Sequence, residues 1–410
     1  MNSPGDRSRA EQTVGKGRAG LGAAEREVAT VPAMRGTADA PVVAAPVVAA
    51  AVTPSAPMAG ATLPAGSHRW VHGPIADIAL MLAWVPFCVA AAVAMNRPHA
   101  LGIVVAMTLL ISLAHQPLTL ALIYGDPAQF AVARRVFTVA PFVLVIAIVV
   151  GRHISIALVG AVAGLWNAEH TLMQRYGVVR IYGRKNGESH RTDERPLLVS
   201  WLVLALVFAA ADHRTIGLLR RIELGETNTA GVKVLHSLQP WARVALVPVA
   251  LLVVVASIRW WRAEAAVSIS SPSIPKRLYL ASTAVLFAVM LWNPIAGLVG
   301  YVGAHALEYV VIVHSALGRR YLGPAAERGG AVGVAVRSRC GPIGCVAVYL
   351  VAVVVLLRLV QRTLSIDAGA VVLLTVGGMH VLFDGFIWKL RRPVVARSLA
   401  ADGRTVTPSI

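Results

Sequence analysis

Between Ile75 and Trp388 the chain is a succession of about ten apolar runs, each near the roughly 20 residues that an α-helix needs to cross a bilayer. They fall at residues 75–95, 101–123, 136–151, 153–172, 197–211, 242–258, 278–292, 294–316, 342–360 and 368–388. Of the 410 residues, 57% are hydrophobic and only 14% are charged. A soluble domain normally carries about 25% charged residues. The runs do not alternate apolar with polar positions as the strands of a membrane β-barrel do. The fold class that follows is all-α: a polytopic transmembrane bundle of about ten helices, in contact with lipid.

Residues 1–70 read as a separate, disordered tail. Its low-complexity stretch APVVAAPVVAAAVTPSAPMAGATLPAG is punctuated by Pro41, Pro46, Pro54 and Pro57, which forbid a continuous helix, and its side chains are too small to build a core. Residues 71–392 then form the transmembrane domain, and 393–410 a short C-terminal tail. The formal charge of +18 does not point to nucleic acid, because Lys and Arg sit in short loops between apolar runs and no nucleic-acid-binding module is present. The basic tail, Arg134 and Arg135, RIYGRKNGESHRTDER, the loops around Arg259 and Arg319, and KLRRPVVAR all fall on one side. The opposite loops hold isolated charges, except for the 212–241 connection with Arg214, Arg220, Arg221 and Lys233. Positive-inside bias therefore places both termini in the cytoplasm, with the chain in the cell membrane. Cys88, Cys340 and Cys345 are too few and too scattered for a disulfide framework or a zinc motif.

The question posed by such a chain is what polar groups do inside its helices. Of 12 histidines, His115, His170, His305, His314 and His380 lie within apolar segments. Segments two, four, eight and ten carry them, and the expected topology runs all four segments in the same direction. His115 and His380 fall about eight residues from the inner ends of their segments and His170 and His314 about two, which puts them within roughly 10 Å in depth; His305 lies about 13 Å above His314 on the same helix. His314, close to Arg319, Arg320 and Tyr321, reads as the most interfacial of the five.

Companion residues strengthen the pattern. Glu169 precedes His170, and Gln174 follows one turn later. His305 and Glu308 are three apart, and His380 and Asp384 four apart, so imidazole and carboxylate share a helix face. Helix bundles build non-haem metal sites from such pairs. Imidazole is the commonest metal ligand, and a carboxylate either ligates or holds the ring's other N–H. His115, His170, His305, His380 and His314 are thus candidate metal ligands, best suited to iron, with copper and zinc open. Glu308, Asp384 and Gln174 are candidate catalytic groups, with Gln174 or Tyr176 placed to hydrogen-bond an oxygen species. Alone, each intramembrane histidine is as readily a helix–helix hydrogen-bonding residue. Asp384 could instead cap the His380 ring or pair with Arg391. QRYGVVRIYGRKNG and Trp166, Trp260, Trp261 and Trp388 fit interfacial anchors, and Gly297, Gly300 and Gly303 fit close helix packing. No phosphate-binding glycine loop, G-x-S-x-G elbow or H-E-x-x-H occurs.

AHQPLTLALIYGDP, WNAEHTLMQRYGVVRIY and HVLFDGFIWKLRRP resemble blocks of an uncharacterised group of multi-pass bacterial membrane proteins. More distantly, the chain is similar to the bacterial Brp/Blh β-carotene dioxygenases, which place iron on intramembrane histidines. That resemblance implies a carotenoid or other lipid-soluble substrate and O₂, with His115, His170, His305 and His380 as the matching candidate ligands. The histidine boxes of membrane desaturases are absent.

The first expectation is therefore an integral membrane enzyme with a non-haem iron site, oxygenase-like, acting on a lipid-soluble molecule. A proton-coupled transporter is the rival, since His, Glu and Asp also build proton relays. A haem-binding or structural membrane protein is the third.

Overall fold

The computed structural model describes residues 70–188, 193–221, 226–267, 273–323 and 329–401. Every regular element over these residues is helical, as the apolar runs require. All but Trp70 of the expected tail 1–70 lies outside the described residues.

Proline decides where many of the helices begin, because its missing N–H costs nothing in a first turn. α1 (Pro74–Met81) and α2 (Trp84–Ala94) make one apolar span, broken at Leu82–Ala83 because Pro86 has no N–H to return to the Leu82 carbonyl. α3 (Pro98–Tyr124) follows, then α4 (Pro127–Ala131), capped by Asp126 through the Ala128 N–H at 2.9 Å, and α5 (Arg134–Ile154). Ser155 caps α6 (Ile156–Lys185). Next come α7 (Glu194–Ala211), α8 (His213–Arg221), α9 (Glu226–Val267) and α10 (Ile274–Trp292). Asn293 caps α11 (Pro294–Tyr321). The described chain ends with α12 (Gly330–Val336), α13 (Gly341–Thr363), α14 (Ile366–Ile387) and α15 (Pro393–Ser398).

Nine spans among the described residues are long and apolar enough to cross a bilayer, so this is a multi-pass membrane protein. The tenth expected segment, 153–172, is α6. It has 30 residues, about 45 Å of helix, yet Asn167, Glu169, His170, Gln174 and Arg175 make it too polar to qualify on composition. It also continues 13 residues past its expected end. α9 is longer still at 42 residues, and it absorbs much of the charged 212–241 connection. Its Pro240 and Pro248 do not end it. The expected C-terminal tail begins as α15, whose Val395 joins Leu399, Ile181 and Ala316 in a small apolar cluster. Cys88, Cys340 and Cys345 are free thiols.

α11 is the axis of the bundle: 67% of its apolar window is buried, against 6% for α9 and 11% for α5 and α13. The outer helices turn Phe142, Ile146, Trp241, Val247 and Val348 outward, an apolar belt suited to lipid chains. α11 can be central because it is thin where α2 crosses it. An added Cβ at Gly303 would lie 2.5 Å from Phe87 Cδ1, and one at Gly300 would lie 3.1 Å from the Trp84 carbonyl oxygen. At one end of the bundle the buried Lys276 ammonium lies 2.8–2.9 Å from carboxylates of Glu188, Glu194 and Glu264, pinning α6, α7, α9 and α10 together.

Paired contacts give the relative directions of the inner helices. His115, His305 and His380 form one layer, and the residues four further on, Thr119, Tyr309 and Asp384, form the next. Tyr301 reaches the Ala168 carbonyl, while Gln174 reaches the His305 carbonyl. α3, α6, α11 and α14 therefore run parallel.

Gly303→Leu should cost about 1–3 kcal/mol by overpacking the α2–α11 seam. The readout is a lowered thermal midpoint of the detergent-solubilised protein. Gly102→Ala, whose added carbon meets nothing within 4 Å, should not lower it. Equal midpoints for the two variants would contradict the tight seam.

Candidate metal centre

Each inner helix carries its polar residues at helical spacing, so they project together toward the bundle axis. α3 offers His115 and Thr119, α6 offers His170 and Gln174, α11 offers His305 and Tyr309, and α14 offers His380 and Asp384. His305 and His380 are fully buried, and His115 and His170 nearly so.

The His380 Nε2 lies 3.1 Å from His115 Nε2 and 3.1 Å from His170 Nε2. Its protonation follows from the groups behind it. Asp384 Oδ1 accepts from the Thr119 hydroxyl at 2.7 Å and from the Tyr309 hydroxyl at 3.0 Å. With its one hydrogen given to Asp384, Thr119 Oγ1 can only accept from His380 Nδ1, 2.8 Å away. His380 is thereby held as the Nδ1–H tautomer, with the Nε2 lone pair facing the two other rings. Trp388 Nε1 closes the ring by donating to Tyr309 Oη at 3.4 Å, and the Thr119 and Tyr309 hydroxyls also touch.

The His380 Nε2 lone pair can accept an N–H from one facing ring or, with the neighbouring nitrogens, bind a positive centre. Two nitrogens about 2.1 Å from one ion are roughly 3.0–3.4 Å apart for bond angles between a right angle and tetrahedral, and the observed spacing matches that range. His115, His305 and His380 can each offer one ligand atom within 4.8 Å of the others, as can His170, His380 and Asp384. The second set is two imidazoles and a carboxylate, a donor combination that suits non-haem iron. His305 packs edge-on against His115 and His170, with centroids 4.8 and 5.1 Å apart, and neither of its ring nitrogens has a hydrogen-bond partner among the described residues.

Four of the five expected histidines thus meet. His314 does not; it is half-buried, nine residues beyond His305, and belongs to neither group. Asp384 joins the cluster rather than pairing with Arg391, and its Oδ2 lies 3.7 Å from His170 Nε2. It does not cap the His380 ring directly, since that separation is 3.9 Å and Thr119 stands between them. Glu308 is placed differently from the expectation that it completes the ligand shell. It faces Arg175, with Nη2 to Oε1 at 3.4 Å and both side chains fully buried, and it accepts from Tyr279 Oη at 3.0 Å. Gln174 donates to Glu308 Oε2 at 3.4 Å and to the His305 carbonyl at 3.1 Å, so it joins the two polar clusters.

Arg175, Thr119 and Tyr309 are the members that sequence reading missed. Arg175 looked like an interfacial anchor. Instead it lies between the rings of Tyr279 and Tyr301, 5.8 and 5.7 Å from their centroids, a cation–π setting for a desolvated guanidinium. Thr119 and Tyr309 follow His115 and His305 at i+4, the same interval as His380 and Asp384, so that spacing applied to every histidine would have found them.

No family model, curated protein or solved structure matches this chain.

Arg175→Met should cost about 3–5 kcal/mol, because it leaves the Glu308 carboxylate buried without its cation. Adding Glu308→Leu should recover most of that loss. Thermal unfolding of the two variants and wild type in one detergent checks this, and a double variant no more stable than the single would contradict the pairing.

Proposed function

We propose that this integral membrane protein is a non-haem metalloenzyme, oxygenase-like, with iron as the best-suited ion and copper or zinc accepted by the same donors. Its substrate is a lipid-soluble small molecule and its co-substrate O₂. It resides in the cell membrane with both termini cytoplasmic. The observation that carries the reading is the 3.1 Å approach of His380 Nε2 to both His115 Nε2 and His170 Nε2, with a carboxylate beside His170, at the buried centre of four parallel helices.

Two overlapping donor sets would hold an ion, His170, His380 and Asp384 or His115, His305 and His380, with His380 common to both. When bound, the ion would supply Lewis acidity and, for iron or copper, redox chemistry toward O₂. Thr119 and Asp384 fix the His380 tautomer, so that its lone pair is aimed before any ion arrives. Tyr309 keeps its hydroxyl hydrogen at Asp384 Oδ1 and turns that carboxylate toward the cluster. Gln174 orients the His305 segment through its carbonyl. Burial of the four rings lowers the local dielectric, which strengthens each electrostatic contact. The rings of touching pairs lie with centroids 4.7–5.1 Å apart, too close to admit a flat macrocycle between them, which favours a bare ion over haem.

Metal analysis of purified protein should give close to one ion per chain, with occupancy falling sharply in His380→Ala, which both donor sets share, and in one of His170→Ala and His115→Ala. Unchanged content in all three variants, or wild-type protein without stoichiometric metal after reconstitution, would refute the proposal. Thr119→Val should keep the fold and weaken metal affinity about 10–100-fold, the usual effect of removing a group that orients a ligand. A competitive chelator titration reads this, and unaltered affinity would remove Thr119 from its positioning role.

A further inference from the structure

A cavity of about 840 Å³ leads away from the cluster between α6 and α14, within the size range of small-molecule sites. Its inner part is lined by His170, Asp384 and Tyr309 together with Trp166, Met173 and Val381, so the polar centre opens onto apolar and aromatic walls. Its far part is different. Arg180 and Arg184 lie about 15 and 21 Å further along α6 than His170, and Lys389 and Arg391 follow the end of α14. Arg195, from the start of α7, completes five cations against two lining carboxylates, Glu169 and Asp384.

Several of these cations have other duties. Arg180 lies 3.8 Å from both Glu188 and Glu194, and Arg184 donates to the Leu390 carbonyl at 2.8 Å. Lys389 lies over the Phe386 ring. Arg195 and Arg391 are solvent-exposed at the cavity rim and form no ion pair with other described residues, so the excess positive charge is presented where a ligand would arrive. The cavity is also kept open by missing side chains. Gly177 on α6 and Gly385 on α14 both line it, and a Cβ at either would meet nothing within 4 Å.

We infer that the cavity binds a membrane amphiphile with an anionic head and a long apolar chain, its head held by Arg195, Arg391 and their basic neighbours and its chain directed at the histidine–aspartate cluster. The assignment of this amphiphile as substrate rests on the metalloenzyme reading above. Charge separated from the polar centre by an apolar passage selects against both a neutral hydrocarbon, which gains nothing from the basic rim, and a small free anion, which gains nothing from the passage. The geometry would present a carbon within the chain, rather than the head, to the cluster.

Native mass spectrometry of delipidated full-length protein in detergent tests this with three probes: phosphatidylglycerol, phosphatidylcholine with the same chains, and inorganic phosphate. Phosphatidylglycerol should be retained about tenfold or more over phosphatidylcholine, and Arg195→Gln with Arg391→Gln should lower its retention by about the same factor. Gly177→Leu, or Gly385→Leu if the first does not fold, should abolish the preference while leaving the basic rim intact. Inorganic phosphate should not displace the lipid. Equal retention of the two lipids, persistence of the preference in the glycine variant (lipid bound on the outer belt instead), or full displacement by phosphate would each overturn the inference. Metal content measured on the same samples separates the two ideas: lipid selectivity with no metal in wild type would overturn the metal-centre reading alone.

Discussion

The centre of this bundle is governed by one constraint: polar side chains removed from both water and lipid must satisfy one another. α11 is the helix on which the constraint falls hardest, because it is the most buried and carries both His305 and Glu308. Two clusters meet that demand in different ways. Around Glu308 the charge is balanced within the chain: a guanidinium, a tyrosine hydroxyl and a glutamine amide surround the carboxylate. Around His380 the balance is incomplete, because three ring nitrogens converge with at least one lone pair and no internal cation to receive it.

That division gives the two carboxylates different roles. Glu308 and Arg175 compensate each other, so their neighbourhood is electrically closed and suits a structural pin beside the histidines. Asp384 has hydrogen bonds from Thr119 and Tyr309 but no Lys or Arg ion pair among the described residues, so no cation of the chain neutralises it as Arg175 does Glu308. Parallel helices make the arrangement possible. The same i to i+4 step on α3, α11 and α14 stacks an imidazole layer on a layer of oxygen-bearing groups, so the lower layer sets the protons of the upper one.

Much of this was legible in the sequence because bilayer physics is demanding. Apolar runs near 20 residues have few alternatives to helices, and a histidine inside such a run is costly enough to be noticed. Depth counting puts His115, His170, His314 and His380 within about 10 Å and His305 about 13 Å above His314, and it is the nearby Arg319, Arg320 and Tyr321 that mark His314 as the most interfacial. The failures have physical causes too. Segment four was ended at residue 172 because its polarity rises there, which put Arg175 in water; α6 runs on to Lys185, supported by partners on other helices that no local pattern reveals. Glu308 was read with His305 because they share a helix face, whereas its partner comes from α6. Thr119 and Tyr309 were overlooked since neither residue type is anomalous in an apolar helix. α9 runs through two prolines because prolines in a membrane helix are tolerated when neighbouring groups satisfy the freed carbonyls.

The same geometry bears on the choice between holding an ion and passing protons. A relay needs a hydrogen-bonded chain that continues on both sides of each histidine. Here the chain runs from His380 through Thr119 to Asp384, and Tyr309 and Trp388 both donate into that end. A proton delivered from the cavity could reach Asp384, but its onward route through His305 is missing, since neither ring nitrogen there has a hydrogen-bond partner among the described residues. Gln174 contacts the His305 backbone rather than its ring. From His380 the contacts pass on to the Nε2 atoms of His115 and His170, so the network converges on the cluster. An imidazole cluster with the His380 proton fixed by Thr119 and a cavity beside it supports the proposed ion-holding centre over a proton path across the bilayer.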